Sequence, residues 1–159
     1  MVLTAAGFAQ EKASAAEGPR LTETATDIWN FSRGEILRNL SCEPRLSKAD
    51  LELMALVVTA EAEGESELGK RLVCDVILNR VDSPQFPDTI GNVIFQKYAF
   101  ESIWNGRAER CVVTDETRAL VRQEFNGRRN YEVIFFRTKY YCSYGSPLFR
   151  EGNHYFSSL

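Results

Sequence analysis

Residues 47–81, SKADLELMALVVTAEAEGESELGKRLVCDVILNRV, read as two helices joined by an acidic hinge. Ser47 and Asp50 have capping-box spacing, in which a hydroxyl takes a free backbone N–H and a carboxylate three residues on answers back, so a helix starts here. Leu51, Leu53, Met54, Leu56, Val57 and Val58 make it apolar on most of its circumference, the pattern of a core helix. Leu68, Leu72, Val73, Val76, Ile77 and Val81 then mark one side of a second helix, with Lys70, Arg71, Asp75 and Asn79 off that stripe. Between the two stand Glu61, Glu63 and Glu65 around Gly64. A carboxylate at the end of a buried helix is rigid and partly desolvated. The negative end of the helix dipole and neighbouring carboxylates further disfavour its charged form, which suits a general acid. The plainer alternative is a solvated acidic turn with Gly64 as the C-cap.

Outward from this pair, the 159-residue chain has 44% apolar and 26% charged residues, enough for one packed domain. A net charge of −3 provides no basic footprint for nucleic acid, and no apolar run reaches the length of a membrane span. Residues 1–46 read as a flexible lead-in, polar over 10–27, with a short helix near 27–40. Residues 1–9 resemble the end of an export signal, although the basic front is missing. The folded domain spans 47–159.

Pro84 and Pro87 stiffen a loop in which Phe86 plugs the core, and Asp88 or Thr89 caps a short helix carrying Ile90, Val93, Ile94 and Phe95. Tyr98, Phe100 and Trp104 follow beside Glu101, Ser102 and Asn105. Such a mixture suits a sugar, whose C–H faces stack on rings while its hydroxyls need hydrogen bonds; it suits a core edge equally. Thr114 starts a helix that stops at Asn126-Gly127. Residues 133–138 and His154, Tyr155 and Phe156 read as two antiparallel strands joined by a long loop. The fold class is α+β, mostly helical, with a small antiparallel sheet late in the chain.

Counting removes several chemistries. Cys42, Cys74, Cys111 and Cys142 form no CxxC pair, and with His154 as the single histidine a zinc site built on imidazoles cannot be assembled. Cys142 or Cys111 with His154 is a nucleophile pair on paper, but no basic cluster marks a low-pKa thiol. Phosphate-loop and dinucleotide fingerprints are absent, so neither a cofactor nor a metal is expected. Carboxylate chemistry remains.

AEAEGES, followed by VILNRVDSPQFPDTIGNVIFQKYAFESIWNG, resembles the core of the SleB/CwlJ-type cell wall hydrolases, the spore cortex-lytic enzyme family, over about residues 50–106, with HYF near the C-terminus matching more loosely. The resemblance implies a lysozyme-like lobe that cleaves peptidoglycan between N-acetylmuramic acid and N-acetylglucosamine as a lytic transglycosylase. It puts the acid at Glu61 and the motif's second glutamate at Glu65. Glu63 stands where the family usually has Arg, and Ala60 where it usually has Gly; the anion at 63 should further favour a protonated Glu61.

If the reaction is ordinary hydrolysis instead, Glu65 and Glu101 are the candidate acid/base partners. Tyr98, Phe100, Trp104, Asn105 and Tyr155 are candidate sugar-binding residues, with Tyr141 and Tyr144 behind them and Asn79 as a group that could orient Glu61. The resemblance also implies export to the wall or outside the cell, with a vegetative wall, a spore cortex or a phage host's wall as target. Two rival readings stay open: a peptidoglycan-binding protein without catalysis, and a wall amidase or peptidase.

Overall fold

The structure, a computed structural model, describes residues 46–159; the lead-in, the residues resembling an export signal, the helix expected near 27–40 and Cys42 lie outside them. Helix α1 (Lys48–Ala62) begins where the capping spacing predicts, with the Asp50 N–H donating to Ser47 Oγ at 3.0 Å. Met54, Ala55, Val57, Val58, Ala60 and Ala62 are fully buried, as a helix apolar nearly all round must be. Each large aliphatic side chain so covered contributes about 1.5–3 kcal/mol of transfer free energy.

Helix α2 (Glu67–Asp82) starts at Ser66, whose Oγ accepts from Gly69 N–H at 3.0 Å. The expected two-sided helix is not what forms. Every position from 71 to 80 is buried, and Arg71, Asp75, Asn79 and Arg80 are enclosed with the aliphatics, while Leu68 in the first turn stays 45% exposed. The polar side is covered because helix α5 (Asp115–Asn126) and the segment after it pack over it, bringing partners for the buried polar groups. Arg71 donates to Glu124 at 2.6 Å, and the Asp75 carboxylate accepts from Asn130 N–H at 3.1 Å. Asn79 donates to the carbonyls of Asn130 and Val133, so it pins this segment rather than orienting Glu61. Pairing of this kind offsets the cost of burying polar groups.

Between α2 and α5 come two short helices, α3 (Ile90–Ile94), capped by Thr89, and α4 (Glu101–Trp104), then a 3-10 turn at Ala108–Arg110. Helix α5 is capped by Thr114 and turns Leu120 and Val121 inward. The late sheet has three strands rather than two: β1 (Phe135–Thr138), β2 (Pro147–Glu151) and β3 (His154–Ser157), all antiparallel with β3 in the middle. Strand β2 hides in the loop expected between β1 and β3. It is an edge strand that opens on Pro147, which needs no ladder donor there, and the proline together with Gly145 before it and Gly152 after it reads as loop. Phe156 is buried between Phe136 and Phe149, tying the sheet to the helices.

Candidate active site

Glu61 occupies the last turn of α1 and is partly exposed, although Ala60 and Ala62 on either side are sealed. Its Oε1 accepts the backbone N–H of Ser102, in α4, at 3.0 Å, while Oε2 has no hydrogen-bond donor among the described residues. One oxygen is therefore held and the other is left to a ligand. Gly64 is not a left-handed cap, since α1 runs out on Glu63 in ordinary helical geometry.

Two clefts meet at this carboxylate. The larger, about 780 Å³, is lined by Glu61, Arg80, Phe86, Tyr98, Glu101, Ser102, Asn105, Phe135, Arg137, Tyr140, Tyr144 and His154, among others. The smaller, about 580 Å³, is lined by Glu61, Glu63, Glu65, Arg107, Lys139, Arg150, Asn153, His154 and Tyr155. Glu61, Arg107, Thr138 and His154 line both, so the two form one elongated groove with the acid at its waist. Tyr98 (φ 64°) in the first lobe and Lys139 (φ 74°) in the second hold left-handed backbone, conformations that side-chain-bearing residues adopt at a cost of about 1–3 kcal/mol.

The expected partner carboxylates separate clearly. Glu65 accepts from the backbone N–H and the side-chain amide of Asn153, at 3.0 and 2.9 Å. Its desolvation alone would raise its pKa, but these two hydrogen bonds outweigh it and hold the carboxyl below the usual range. It is an ionised strut that fastens the β2–β3 turn to the hinge. Gly152 in that turn has φ +55°, and a Cβ there would overlap Glu65 Oε2, so glycine is required twice over. Glu101 is exposed on the wall of the larger lobe. Glu63 points outward and pairs with Arg107 at 3.4 Å, so the anion expected to act on Glu61 has a cation of its own.

The aromatic expectations divide too. Tyr98, Asn105 and Tyr144 line the larger lobe and Tyr155 the smaller, where it packs edge-on to Tyr141. Phe100 is 1% exposed and belongs to the core, and Trp104 lies on the surface outside the lining of either lobe. Phe100 is the N-cap of α4, in extended backbone, and its ring enters the core, whereas Trp104 ends that short helix with its ring at the surface. Phe86 is a wall of the cleft rather than a core plug, stacked between Arg80 and Phe135.

His154, expected in a strand and weighed as half of a thiol pair, is in β3 and forms no hydrogen bond to Cys142 or Cys111 among the described residues. It is 3% exposed, packs on Phe136 at 4.9 Å, and its buried Nδ1 has no partner. Burial pushes its pKa below the usual histidine value against the pull of Glu65 and Glu61. The signal that could have found it is HYF itself, since a histidine between strand residues must face one side of a sheet. Cys74 is sealed in the core, where desolvation pushes its thiol well up and leaves it inert.

A helical lobe with a small late sheet and a carboxylate on a groove is the arrangement to set beside known proteins. Residues 64–157 match the Cell Wall Hydrolase family, and Glu61 lies just before the matched stretch. The chain belongs to the cell wall hydrolase family. The spore cortex-lytic enzyme of Halalkalibacterium halodurans is 42% identical over 83 residues, 52% of this chain and 24% of that protein. The cell wall hydrolase CwlJ of Bacillus subtilis is 38% identical over 95 residues, 57% of this chain and 66% of that protein. The chain thus spans about a quarter of the length of the spore cortex-lytic enzymes it matches. The crystal structure of the catalytic domain of the Bacillus cereus SleB protein superposes with a TM-score of 0.63 at 29% identity, covering 72% of this chain and 94% of that domain. The catalytic domain of the germination-specific lytic transglycosylase SleB from Bacillus anthracis gives a TM-score of 0.62 at 28% identity, covering 70% and 96%.

Proposed function

We propose that this chain cleaves the glycan strands of peptidoglycan between N-acetylmuramic acid and N-acetylglucosamine, as a lytic transglycosylase with Glu61 as its single acid/base. The observation that carries this reading is the place of Glu61, on the end of a rigid core helix at the waist of a two-lobed groove, with one oxygen fixed by Ser102 N–H and the other open. An elongated groove accommodates a strand on both sides of the bond to be cut. Tyr98, Tyr140 and Tyr144 in one lobe and Tyr155 in the other offer rings to the sugar faces.

In this mechanism protonated Glu61 gives its proton to the glycosidic oxygen as the bond breaks and positive charge develops at the muramic anomeric carbon. The resulting carboxylate takes the proton from the muramic C6 hydroxyl, whose oxygen attacks that carbon and closes a 1,6-anhydro ring. The acid is regenerated and no water is consumed. Because Glu65 is committed to Asn153, hydrolysis would fall to Glu101 as the remaining partner. The domain relatives named spore cortex-lytic enzyme favour cortex as the substrate and a spore-associated location, outside the membrane that encloses the cell's interior.

Purified peptidoglycan treated with the protein or its Glu61→Gln variant, with the soluble fragments weighed by mass spectrometry, tests the proposal. Anhydro-muropeptides from the wild type alone support it. Reducing-end products move the assignment to hydrolysis, released peptides to an amidase, and binding without release to a non-catalytic module.

A further inference from the structure

His154 is the chain's single histidine, and the catalytic cycle of Glu61 leaves it no task. It stands on the central strand β3, paired with Thr138 of β1 on one side and Glu151 of β2 on the other. Its ring lies 4.9 Å from that of Phe136 and meets that of Phe156 edge-on at 6.0 Å, so the plane of the imidazole is set by its neighbours. Nδ1 is sealed without a partner, whereas Nε2 bonds no described residue and is not among the sealed atoms. Since His154 lines both lobes, Nε2 is the atom that opens on the groove.

Four residues line both lobes, and His154 differs from the other three. Glu61 is tethered to Ser102, Arg107 is half exposed and pairs with Glu63, and Thr138 is exposed at the end of β1. Of the four, His154 combines near-complete burial, at 3% exposure, with a free polar atom at the waist.

The place of the ring proton follows from this burial. A proton on Nδ1 would make a sealed N–H with no acceptor, a rarer state than a bare lone pair, so the neutral ring carries its proton on Nε2. A cationic ring would need a proton on Nδ1 as well. Glu65 and Glu61 lie near enough to favour that cation, but burial prevails, and the smaller lobe also carries Arg107, Lys139 and Arg150, which disfavour it. An uncharged donor matches uncharged acceptors, such as the hydroxyl and acetamido oxygens of a sugar.

We propose that His154 is a further substrate-binding residue of the reaction, its Nε2–H donating to a hydroxyl or acetamido oxygen of the sugar at the bond that Glu61 cleaves. This rests on the glycan-cleavage reading of the same groove. The donor is in place before the strand arrives, so it sets one sugar's orientation and brings the glycosidic oxygen to the open oxygen of Glu61.

Substitution separates the donor from the packing. His154→Phe keeps a ring on Phe136 and removes the donor, His154→Gln places an amide N–H where Nε2 stands, and His154→Asn places one where Nδ1 stands. The rate of fragment release from purified peptidoglycan should fall about tenfold to a hundredfold in His154→Phe and His154→Asn, and less than about tenfold in His154→Gln. A packing role predicts the reverse order, with His154→Phe active and His154→Gln impaired. That order, or equal losses in His154→Phe and His154→Gln, overturns the inference and leaves the groove a glycan site. If the unsubstituted protein releases nothing, the glycan reading falls and this inference with it. Should the substituted proteins fail to fold, NMR of isotope-labelled histidine in the Glu61→Gln protein decides, because there is one imidazole to observe. A proton on Nε2 whose signal moves when a peptidoglycan tetrasaccharide with its stem peptides is added supports the role; a proton on Nδ1, or an Nε2–H that the tetrasaccharide leaves unmoved, overturns it.

Discussion

Helix α2 buries two arginines to the same 6% exposure, and their surroundings are opposite. Arg71 faces α5, where it bonds Glu124 at 2.6 Å and Glu67 through Nε and Nη2, with Gln123 completing the set. Burial alone would lower its pKa, but the hydrogen bonds it donates to the Glu124 and Glu67 carboxylates, with their charges, outweigh that and raise it. Arg80 faces the groove with rings and one carbonyl, and burial prevails. The first arginine is consumed by the fold; the second is charge the fold leaves available. The same contrast holds for carboxylates, with Glu65 locked on Asn153 and Glu61 holding one oxygen free. What separates the members of each pair is whether the protein itself saturates their hydrogen-bonding atoms.

The comparison is broken or sharpened most strongly at Glu61. Glu61→Gln should lower glycan-cleaving rate on the order of 10²–10⁴-fold while the thermal midpoint stays within a few degrees, because the amide still accepts from Ser102 N–H. A comparable loss of stability would instead make Glu61 a strut like Glu65. On the closed side, Arg71→Met should cost up to about 3 kcal/mol in urea unfolding, since it takes the shorter of two ion pairs from the buried Glu124 carboxylate and leaves only Arg129 at 3.2 Å. Gly152→Ala tests the strut itself. Both the left-handed backbone and the clash with Glu65 oppose it, and a loss of about 1–3 kcal/mol is expected, with weakened protection of the Asn153 amide in hydrogen exchange.

Titration separates the two sides by sign. Asp75, on the closed side, is raised to about 7 by burial and by the neighbouring Glu124 carboxylate. A carboxyl with a raised folded value contributes stability that is complete below its unfolded value, near 3.8, and is lost as pH climbs to about 7. His154, on the groove side, is depressed, so its contribution is complete above 6.5 and is lost as pH falls through its folded value. Urea midpoints measured from pH 4 to 8 should therefore lose the high-pH decline in Asp75→Asn and the acid-side decline in His154→Phe. The smallest effect belongs to the exposed Glu63–Arg107 pair, where Glu63→Gln should change unfolding free energy by less than about 1 kcal/mol.

Much of this was legible in the order of residues. Capping at Ser47 and Thr114, the buried circumference of α1 and the position of Glu61 at its end all follow from local rules, because each depends on neighbours within one helical turn. Misreadings came where distant chain intervened. Lys70, Arg71, Asp75 and Asn79 lie off the apolar stripe in sequence, yet only α5 and residues 128–134 decide that the last three are enclosed. The edge strand β2 needed β3 beside it to be a strand at all. Phe100 and Trp104 stand four residues apart around α4, and that the first ring enters the core while the second stays on the surface outside the groove is set by the packing of distant elements.

By itself, then, the sequence determined the helical pair, the carboxylates at its hinge and the lack of imidazoles for a histidine-built zinc site, since periodicity, capping and the scarcity of histidine are properties of the chain alone. Tertiary structure alone decided which charges are spent and which are left open. Hydrogen-bond saturation is a relation between residues far apart in sequence: Glu65 is quenched by Asn153 and Arg71 by Glu124, while Glu61 keeps one open oxygen and Arg80 two open nitrogens on the groove.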